Sequence, residues 1–524
     1  MNISKPVCLV ILDGWGESKN TVGNAIANAK LPTIEYLNKY YPKVLLQASG
    51  LAVGLPWGTA GNSEVGHQTL GTGQIIYQNL PLIDKAIDDG SFLQNPVLLE
   101  TIEWTKKNNS SLHLLGLLSD GSVHSHINHL LSLLELAKSQ NIDKVFMHLI
   151  TDGRDSPPKS AKKYLEIVLA EIKTMQLGQI ATIIGRYYAM DRNENWDRTE
   201  KAFLAFTQGI GILTNNPLSA LENQYQQKIT DEYLEPIIIS DQQNQPLGLI
   251  KENDAVICFN FRQDRSRQIT KAFVLPDFDK FQKALRPKNL KFTCFTEYEK
   301  NLPADIAFPK QEISSCLGKI LSDAQKKQLR IAETEKYAHI TYFFNNGAEN
   351  PLPEEDRILI PSKNAKSYDQ IPQMSANEIT EKLIEAIAEK NYDFILINYA
   401  NPDMIGHTGN FKAGIKAIET VDTCLKKIIQ TILKKSGCLI ITADHGNVEE
   451  MINLKTYEKD TKHSTNPVPC WFVAENNKQE RLFSEQNSVE VSGMLIDIAP
   501  TILEILNFPK PAEMIGKSLL GALT

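Results

Sequence analysis

With 524 residues, 55 Lys and Arg against 62 Asp and Glu, and a net charge of −7, the chain has room for two or more full cores and carries an acidic balance. That balance excludes broad binding to nucleic acid or anionic membrane, which needs a basic face, but leaves room for a small anion held by a few arginines. No apolar run reaches the roughly 20 residues of a membrane span. The seven cysteines, 8, 258, 294, 316, 424, 438 and 470, form no Cys-x-x-Cys pair, which fits small apolar residues in a reducing cytoplasm rather than nucleophiles or metal ligands.

In chain order, "MNISKPVCLVILDGWG" has too short an apolar run, and no small-residue cleavage site, for an export signal. It predicts a buried strand over 7–12 that ends at Asp13-Gly14. "GTAGNSEVGHQTLGTG" (58–73) follows, with Ser63 and His67 among glycines. It lacks the Gly-Lys-Ser/Thr ending of a P-loop and the Gly-x-Ser-x-Gly of a hydrolase elbow, so taken alone it reads as a flexible turn. Apolar runs at 112–118, 145–150, 180–185, 255–261, 393–400 and 438–443 then each lead into a polar cluster. The clusters are Ser119-Asp120-Gly121, Thr151 to Asp155, Arg186, Arg262, Asn401-Pro402-Asp403 and Asp444-His445-Gly446. Such runs predict strands buried on both faces, as in parallel sheets. Segments with helical period lie between them at 125–140, 160–175 and 375–390, so the predicted class is α/β. In open parallel sheets ligands bind beyond the carboxyl ends of the strands, where each of these clusters would fall.

The clusters divide by type. Asp, His and Ser dominate near the N-terminus and after about residue 400; arginine dominates between about 120 and 265. This predicts a metal-bearing domain built from both chain ends with an arginine-rich domain inserted, the crossings lying near 75–85 and near 300–312.

Asp403 and His407 stand four apart, one helical turn, and can share an ion. Asp444 and His445 either meet one ion at a bend permitted by Gly446 or divide between two ions. His463 precedes a further strand, and Asp13 is a carboxylate at the same expected edge. Three carboxylates and three imidazoles suffice for two divalent ions, and mixed N/O donors without thiolate suit Mn2+ or Zn2+. Two such ions can clamp the attacking and leaving oxygens of a phosphoryl group, and coordination activates a serine. Loss of activity at mildly acidic pH, as imidazoles protonate, is expected of such a site.

Among the arginines, Arg154, Arg186 and Arg262 directly follow strands, and Arg192 and Arg265 accompany them, so a ligand with more than one anionic group is expected. Arg198 and Arg267 fit ordinary surface residues. His124, His126 and His129 could suggest a metal site, but no carboxylate or thiolate stands at ligand spacing, and a single ligand-bonding residue, His124, is preferred. His67 reads as structural; His113, His148 and His339, within apolar runs, read as satisfied core residues. Glu333, Glu335 and Lys336 fit a solvated charge run, unless Lys336 offers its charge to a phosphate.

The segments "LDGWG", "GNSEVGH", "SDGSVHSH", "TDGRD", "GRYYAMDR", "FNFRQDRSRQIT", "ETEKYAHITYFFN", "NYANPDMIGHTG", "TADHGN" and "TNPVPCW", in this order along nearly the whole chain, resemble the cofactor-independent phosphoglycerate mutases, a branch of the alkaline phosphatase superfamily. The resemblance implies an alkaline-phosphatase-like, mostly parallel sheet flanked by helices from residues 1–78 and 311–524, with a second α/β domain, 79–310, inserted as the transferase part. It implies interconversion of 3-phosphoglycerate and 2-phosphoglycerate in glycolysis and gluconeogenesis, without bisphosphoglycerate, by a cytoplasmic monomer that closes around its substrate. Ser63 would become phosphoserine. Of two Mn2+ ions, other divalent ions being possible, one would be held by Asp13, Ser63, Asp444 and His445, the other by Asp403, His407 and His463. Substrate would meet His124, Arg154, Asp155, Arg186, Arg192, Arg262, Arg265 and Lys336, with Asp155 the expected acid and base. Gln263, Ser266 and Ser464 depart from the Pro, Ala and Thr of many members and remove no functional group. The rival reading is a metal-dependent phosphohydrolase or another phosphomutase of that superfamily; the large arginine-bearing insertion argues against a plain phosphatase.

Overall fold

The computed structural model describes residues 6–281, 287–481 and 490–524; the first five residues of the segment read above as no export signal lie outside them. The chain separates into two compact units, one of residues up to Gln78 with Glu312–Thr524, the other of Asn79–Gln311.

The first unit is built on an eight-stranded sheet. In spatial order it runs β12 (Glu355–Ile360), β11 (Gln328–Glu333), β13 (Phe394–Tyr399), β1 (Val7–Leu12), β14 (Cys438–Thr442), β15 (Val468–Val473), β2 (Lys43–Gln47) and β16 (Val491–Met494). From β12 to β14 every pairing is parallel, while β15 runs antiparallel to both neighbours. β1, β11, β13, β14 and β15 are buried along their whole length, as continuous apolar runs require when helices cover both faces. The helices over Ala376–Glu389 and Phe411–Lys434 turn apolar stripes, Ile379, Leu383 and Ile387 on one and Ile418, Val421, Leu425 and Ile428 on the other, into that core.

The second unit carries its own eight-stranded sheet. The order is β10 (Asp305–Ile306), β9 (Lys291–Cys294), β8 (Ala255–Cys258), β3 (Leu112–Leu118), β4 (Val145–Thr151), β5 (Gln179–Gly185), β7 (Ile237–Ile239) and β6 (Ile212–Thr214). All pairings are parallel except β5 with β7. Apolar clusters fill both faces of this sheet. The predicted strands and helices appear within a residue or two of their expected limits, except that the run at 255–261 is strand only to Cys258.

The glycine-rich stretch differs from its expectation as a turn. It is the helix Ser63–Thr72, capped at its start by the Asn62 side chain, which accepts from the Val65 N–H at 3.1 Å, and closed by Gly73 at φ +63°. The apolar pattern is weak because the helix buries two faces, and its glycines allow close approach to neighbouring backbone. A Cβ at Gly66 would stand 2.7 Å from the Asp444 carbonyl oxygen, and one at Gly71 2.1 Å from that of Phe344. Gly71→Ala therefore forces two backbone segments apart, and we expect a loss of about 1–3 kcal/mol. Calorimetry should show a lowered unfolding midpoint; an unchanged midpoint would show that the helix has room to shift.

Candidate metal centre and arginine cluster

Four adjacent parallel strands of the first unit, β11, β13, β1 and β14, end at one edge, and the residues that follow them converge there. Asp13 follows β1, Asp444 and His445 follow β14, and Asp403 and His407 sit on and just after the helix Asn401–Gly406 that follows β13. Lys336 lies on the helix Thr334–Ala338 after β11, Ser63 opens its own helix, and His463 precedes β15. Asp13, Ser63, Lys336, Asp403, Asp444 and His445 are buried, His463 is half-buried and His407 is exposed.

Lys336 is the hub. Its Nζ lies 2.6 Å from each of Asp13 Oδ1, Asp403 Oδ2 and Ser63 Oγ. The Ser63 hydroxyl is also 3.2 Å from Asp13 Oδ1 and 3.1 Å from His445 Nε2. His407 and His463 reach Asp403 Oδ1 at 3.2 and 3.1 Å, and the His445 and His463 rings stack at 3.9 Å. The solvated charge run is therefore corrected for two of its three residues: Glu333, the last residue of β11, and Lys336 are buried, and only Glu335 is exposed.

The charges answer one another. Burial by itself pushes the Asp13 and Asp403 carboxyls up, but the Lys336 ammonium and hydrogen bonds from imidazoles hold both well below the usual range. Burial by itself would lower Lys336, and Asp13, Asp403 and Asp444 raise it instead. His445 is pushed up to about 9, burial being outweighed by Asp444 and Asp13.

Oxygen and imidazole donors without thiolate suit a divalent first-row ion, and Asp444 Oδ2 is a buried carboxylate oxygen that accepts no hydrogen bond, its nearest ring nitrogen being His67 Nδ1 at 3.1 Å. One donor atom each from Asp403, His445 and His463 lies within 4.8 Å of the others, and so does one each from Asp13, His67 and Asp444. His445 stands between the carboxylates, 3.5 Å from Asp13 and 4.0 Å from Asp403. His67 has no lone pair to spare: its Nδ1–H donates to the Ser63 carbonyl at 2.8 Å, and its Nε2 accepts from Asn398 at 3.0 Å.

In the second unit, β3, β4, β5 and β8 end at a common edge that carries the arginines. Arg186 is buried, and its Nη1 donates to Asp152 Oδ1 and Asp155 Oδ2, both at 2.5 Å. Arg154 pairs with Glu232 at 2.6 Å, Arg192 and Arg262 both reach Asp264, at 2.7 and 3.1 Å, and Arg265 donates to the Met190 carbonyl at 3.1 Å. His124 lies 3.8 Å from Asp155 and 3.7 Å from Asp264. Burial, with the Arg186 charge, holds His124 down at about 4, so its ring is neutral at neutral pH.

The other sequence readings sort cleanly. His126 caps its helix and His129 bonds Asp84 at 2.9 Å, so the three histidines do not converge. His113 and His148 bond one another inside the core at 3.0 Å, as expected. His339 is a correction: it is half-buried at the start of a π-helical turn after Lys336, and its buried Nδ1 has no hydrogen-bond partner among the described residues. Arg198 pairs with Asp191 and covers the Tyr187 ring, and Arg267 bonds the Tyr298 carbonyl. All seven cysteines are buried and unpaired. Sequence reasoning missed Asp152, Asp264, Asn398 and Asn447. Asn398 alone carried a signal, as a polar residue inside an apolar strand.

Two outcomes follow. Lys336→Met leaves Asp13 and Asp403 buried without a cation, a loss of about 3–5 kcal/mol; with chelator present its unfolding midpoint should fall, and divalent ion should restore more of it than in wild type. A midpoint insensitive to the substitution would remove Lys336 as their counter-ion. Glu333, at the end of β11, accepts from Ser362 Oγ at 2.9 Å, and burial, with Glu335 and Glu378, raises it from 4.5 to about 7. The folded state then binds the proton more tightly, so this contribution is full below about 4.5 and lost as pH rises through about 7. Glu333→Gln should cancel about 3 kcal/mol of that decline, and denaturant melts at pH 5 and pH 8 compare the two proteins; parallel pH dependence would refute it.

The chain is similar to known proteins over nearly its whole length. Residues 83–300 match the family model "BPG-independent PGAM N-terminus", and residues 307–497 match "Type I phosphodiesterase / nucleotide pyrophosphatase". The chain is 47% identical over 518 residues to the 2,3-bisphosphoglycerate-independent phosphoglycerate mutase of Moorella thermoacetica, covering 99% of each chain. It is 48% identical over 520 residues to that of Clostridioides difficile, covering 99% of this chain and 100% of the relative. Among solved structures it resembles Leishmania mexicana phosphoglycerate mutase at low cobalt concentration, at 31% identity and a TM-score of 0.51 over 98% of this chain and 97% of the other. A likeness at this level over nearly the whole of both chains shows the family: the chain belongs to the 2,3-bisphosphoglycerate-independent phosphoglycerate mutases.

Proposed function

We propose that the protein interconverts 3-phosphoglycerate and 2-phosphoglycerate through a phosphoserine on Ser63, without bisphosphoglycerate. The observation that carries this reading is the placement of one serine hydroxyl 2.6 Å from a buried ammonium and within 3.2 Å of Asp13 and His445. A hydroxyl held among cation-binding groups is poised to attack phosphorus.

Two divalent ions, Mn2+ in this reading, fit the donor set. Asp13, Ser63, Asp444 and His445 would hold one; Asp403, His407 and His463 would hold the other. When bound they supply Lewis-acid stabilisation of phosphoryl oxygens and lower the serine's proton affinity. Ser63 would give its hydroxyl proton to solvent as the ions bind. Its Oγ then forms a bond to phosphorus as the bond from phosphorus to one glycerate oxygen breaks, and in the return step the other glycerate oxygen bonds phosphorus as the Oγ–P bond breaks. Lys336 offers its ammonium to the charge that spreads over the phosphoryl oxygens, which is the main catalytic need of such transfers. Asp155 protonates the departing glycerate oxygen and later takes the proton from the other hydroxyl, and the bond from Arg186 orients it for both steps. His124, Arg154, Arg186, Arg192, Arg262 and Arg265 hold the glycerate carboxylate and hydroxyls. Water must be kept from the phosphoserine, since its hydrolysis would make the enzyme a phosphatase.

In this reading residues 1–78 and 311–524 form the phosphatase-like domain and 79–310 the transferase domain, in a monomer of the cytoplasm. Among the described residues no helix is long and apolar enough to cross a membrane.

A coupled assay with 3-phosphoglycerate and Mn2+, lacking bisphosphoglycerate, should show turnover that chelation abolishes and Mn2+ restores. Ser63→Ala should lose at least about 1,000-fold in kcat with the fold retained. Full turnover by that variant would remove Ser63 as nucleophile, and stoichiometric release of free phosphate would replace the mutase reading by a phosphohydrolase.

A further inference from the structure

We infer that Glu449 is a positioning residue of the metal centre: it sets the affinity for divalent ion by tying together the three loops that carry ligands, without itself touching the ion. The inference rests on the metal-centre reading above.

Glu449 lies at the end of the loop after β14 and is 1% exposed. Its Oε2 accepts the backbone N–H of Gly16 and of Asn447, both at 2.9 Å. Its Oε1 accepts from Asn466 Nδ2 at 3.0 Å and from the Ser464 hydroxyl. Four donors thus meet one buried carboxylate, and among the described residues no cationic side chain pairs with it.

The donors come from three places. Gly16 lies three residues beyond Asp13; Asn447 follows His445 and also donates to Asp403 Oδ1 at 2.8 Å; Ser464 adjoins His463. Backbone bonds run along the same seams, from Val448 N–H to the Gly14 carbonyl at 3.1 Å and from Ser464 N–H to that of Gly446 at 3.0 Å. The fit is close: a Cβ on Gly16 would stand 2.2 Å from Glu449 Oε1, and one on Gly446 2.4 Å from it. Partners that orient ligands without touching the ion commonly shift metal affinity about 10- to 100-fold.

The hydrogen-bond inventory separates positioning from bulk. In Glu449→Gln the amide keeps an oxygen toward Gly16 and Asn447, while its NH2 faces Ser464, whose hydroxyl can turn to accept; only the bond from Asn466 is lost. In Glu449→Met the thioether fills the space and takes over none of these bonds. Gly16→Ala leaves Glu449 in place but displaces its carboxylate.

Mn2+ titrations of the full chain, with free ion followed by electron paramagnetic resonance, should give wild type and Glu449→Gln affinities within about threefold. Glu449→Met and Gly16→Ala should each bind about tenfold more weakly or worse, with faster amide exchange over 13–17 and 463–467. If Glu449→Met does not fold, Gly16→Ala and Glu449→Gln decide. Weaker melting with unchanged Mn2+ affinity in Gly16→Ala or Glu449→Met would overturn the inference, as would equal losses in Glu449→Gln and Glu449→Met. Failure of wild type to bind Mn2+ would instead overturn the metal-centre reading, and this inference with it.

Discussion

Burying like charges together is the constraint on which the rest of the first unit depends. Asp13, Asp403 and Asp444 are drawn out of water at one sheet edge, and an isolated carboxylate in that position would simply take up a proton. Here at least two stay ionised because Lys336 and the imidazoles stand against them. The ammonium answers two carboxylates and a hydroxyl at once, which makes the serine part of the electrostatic balance. Lys336 can do so only because β11 lies beside β13 and ends at the same edge. The parallel sheet therefore delivers charge of both signs to one place, and the ordinary geometry of strand ends becomes a cation-binding chemistry.

The arginine cluster solves the opposite problem. Arg186 is an interior cation, and Asp152 and Asp155 meet it from the loop after the neighbouring strand. Asp264 similarly draws in Arg192 and Arg262. Each acid that holds an arginine in place also competes with an incoming anion, so an anionic ligand must exchange for existing pairs. Such exchange favours a ligand with several acceptors over a single phosphate, in keeping with a substrate that carries both phosphate and carboxylate.

Much of this was legible in the sequence, because both signals are local. An apolar run followed by Asp or Arg marks a strand end, and that rule alone located Asp13, Asp403, Asp444, Arg154, Arg186 and Arg262. The stretch around Ser63 was misread as a turn because its glycines serve close helix packing, which depends on Asp444 and Phe344, far away in sequence. Glu449 and Asn447 were invisible for a related reason: their roles are defined by hydrogen bonds to Gly16 and Asp403, and nothing in a short window of sequence records those. His339 was read from its place in an apolar run, and a run does not record whether a ring nitrogen finds a partner.

The sheet order also sets a timetable for synthesis. β1 sits in the middle of the first sheet, and its partners on either side, β13 and β14, begin only at Phe394 and Cys438. At about 5–20 residues per second, β1 emerges from the ribosome roughly 20 to 80 s before its first partner exists. An apolar strand with both edges bare for that time is a natural client for a holding chaperone. Asn79–Gln311, with a core of its own, can close during the interval. The residues of the candidate metal centre thus enter the chain over a long interval, from Asp13 to His463, and the set is complete only once β14 and the loop before β15 have been made.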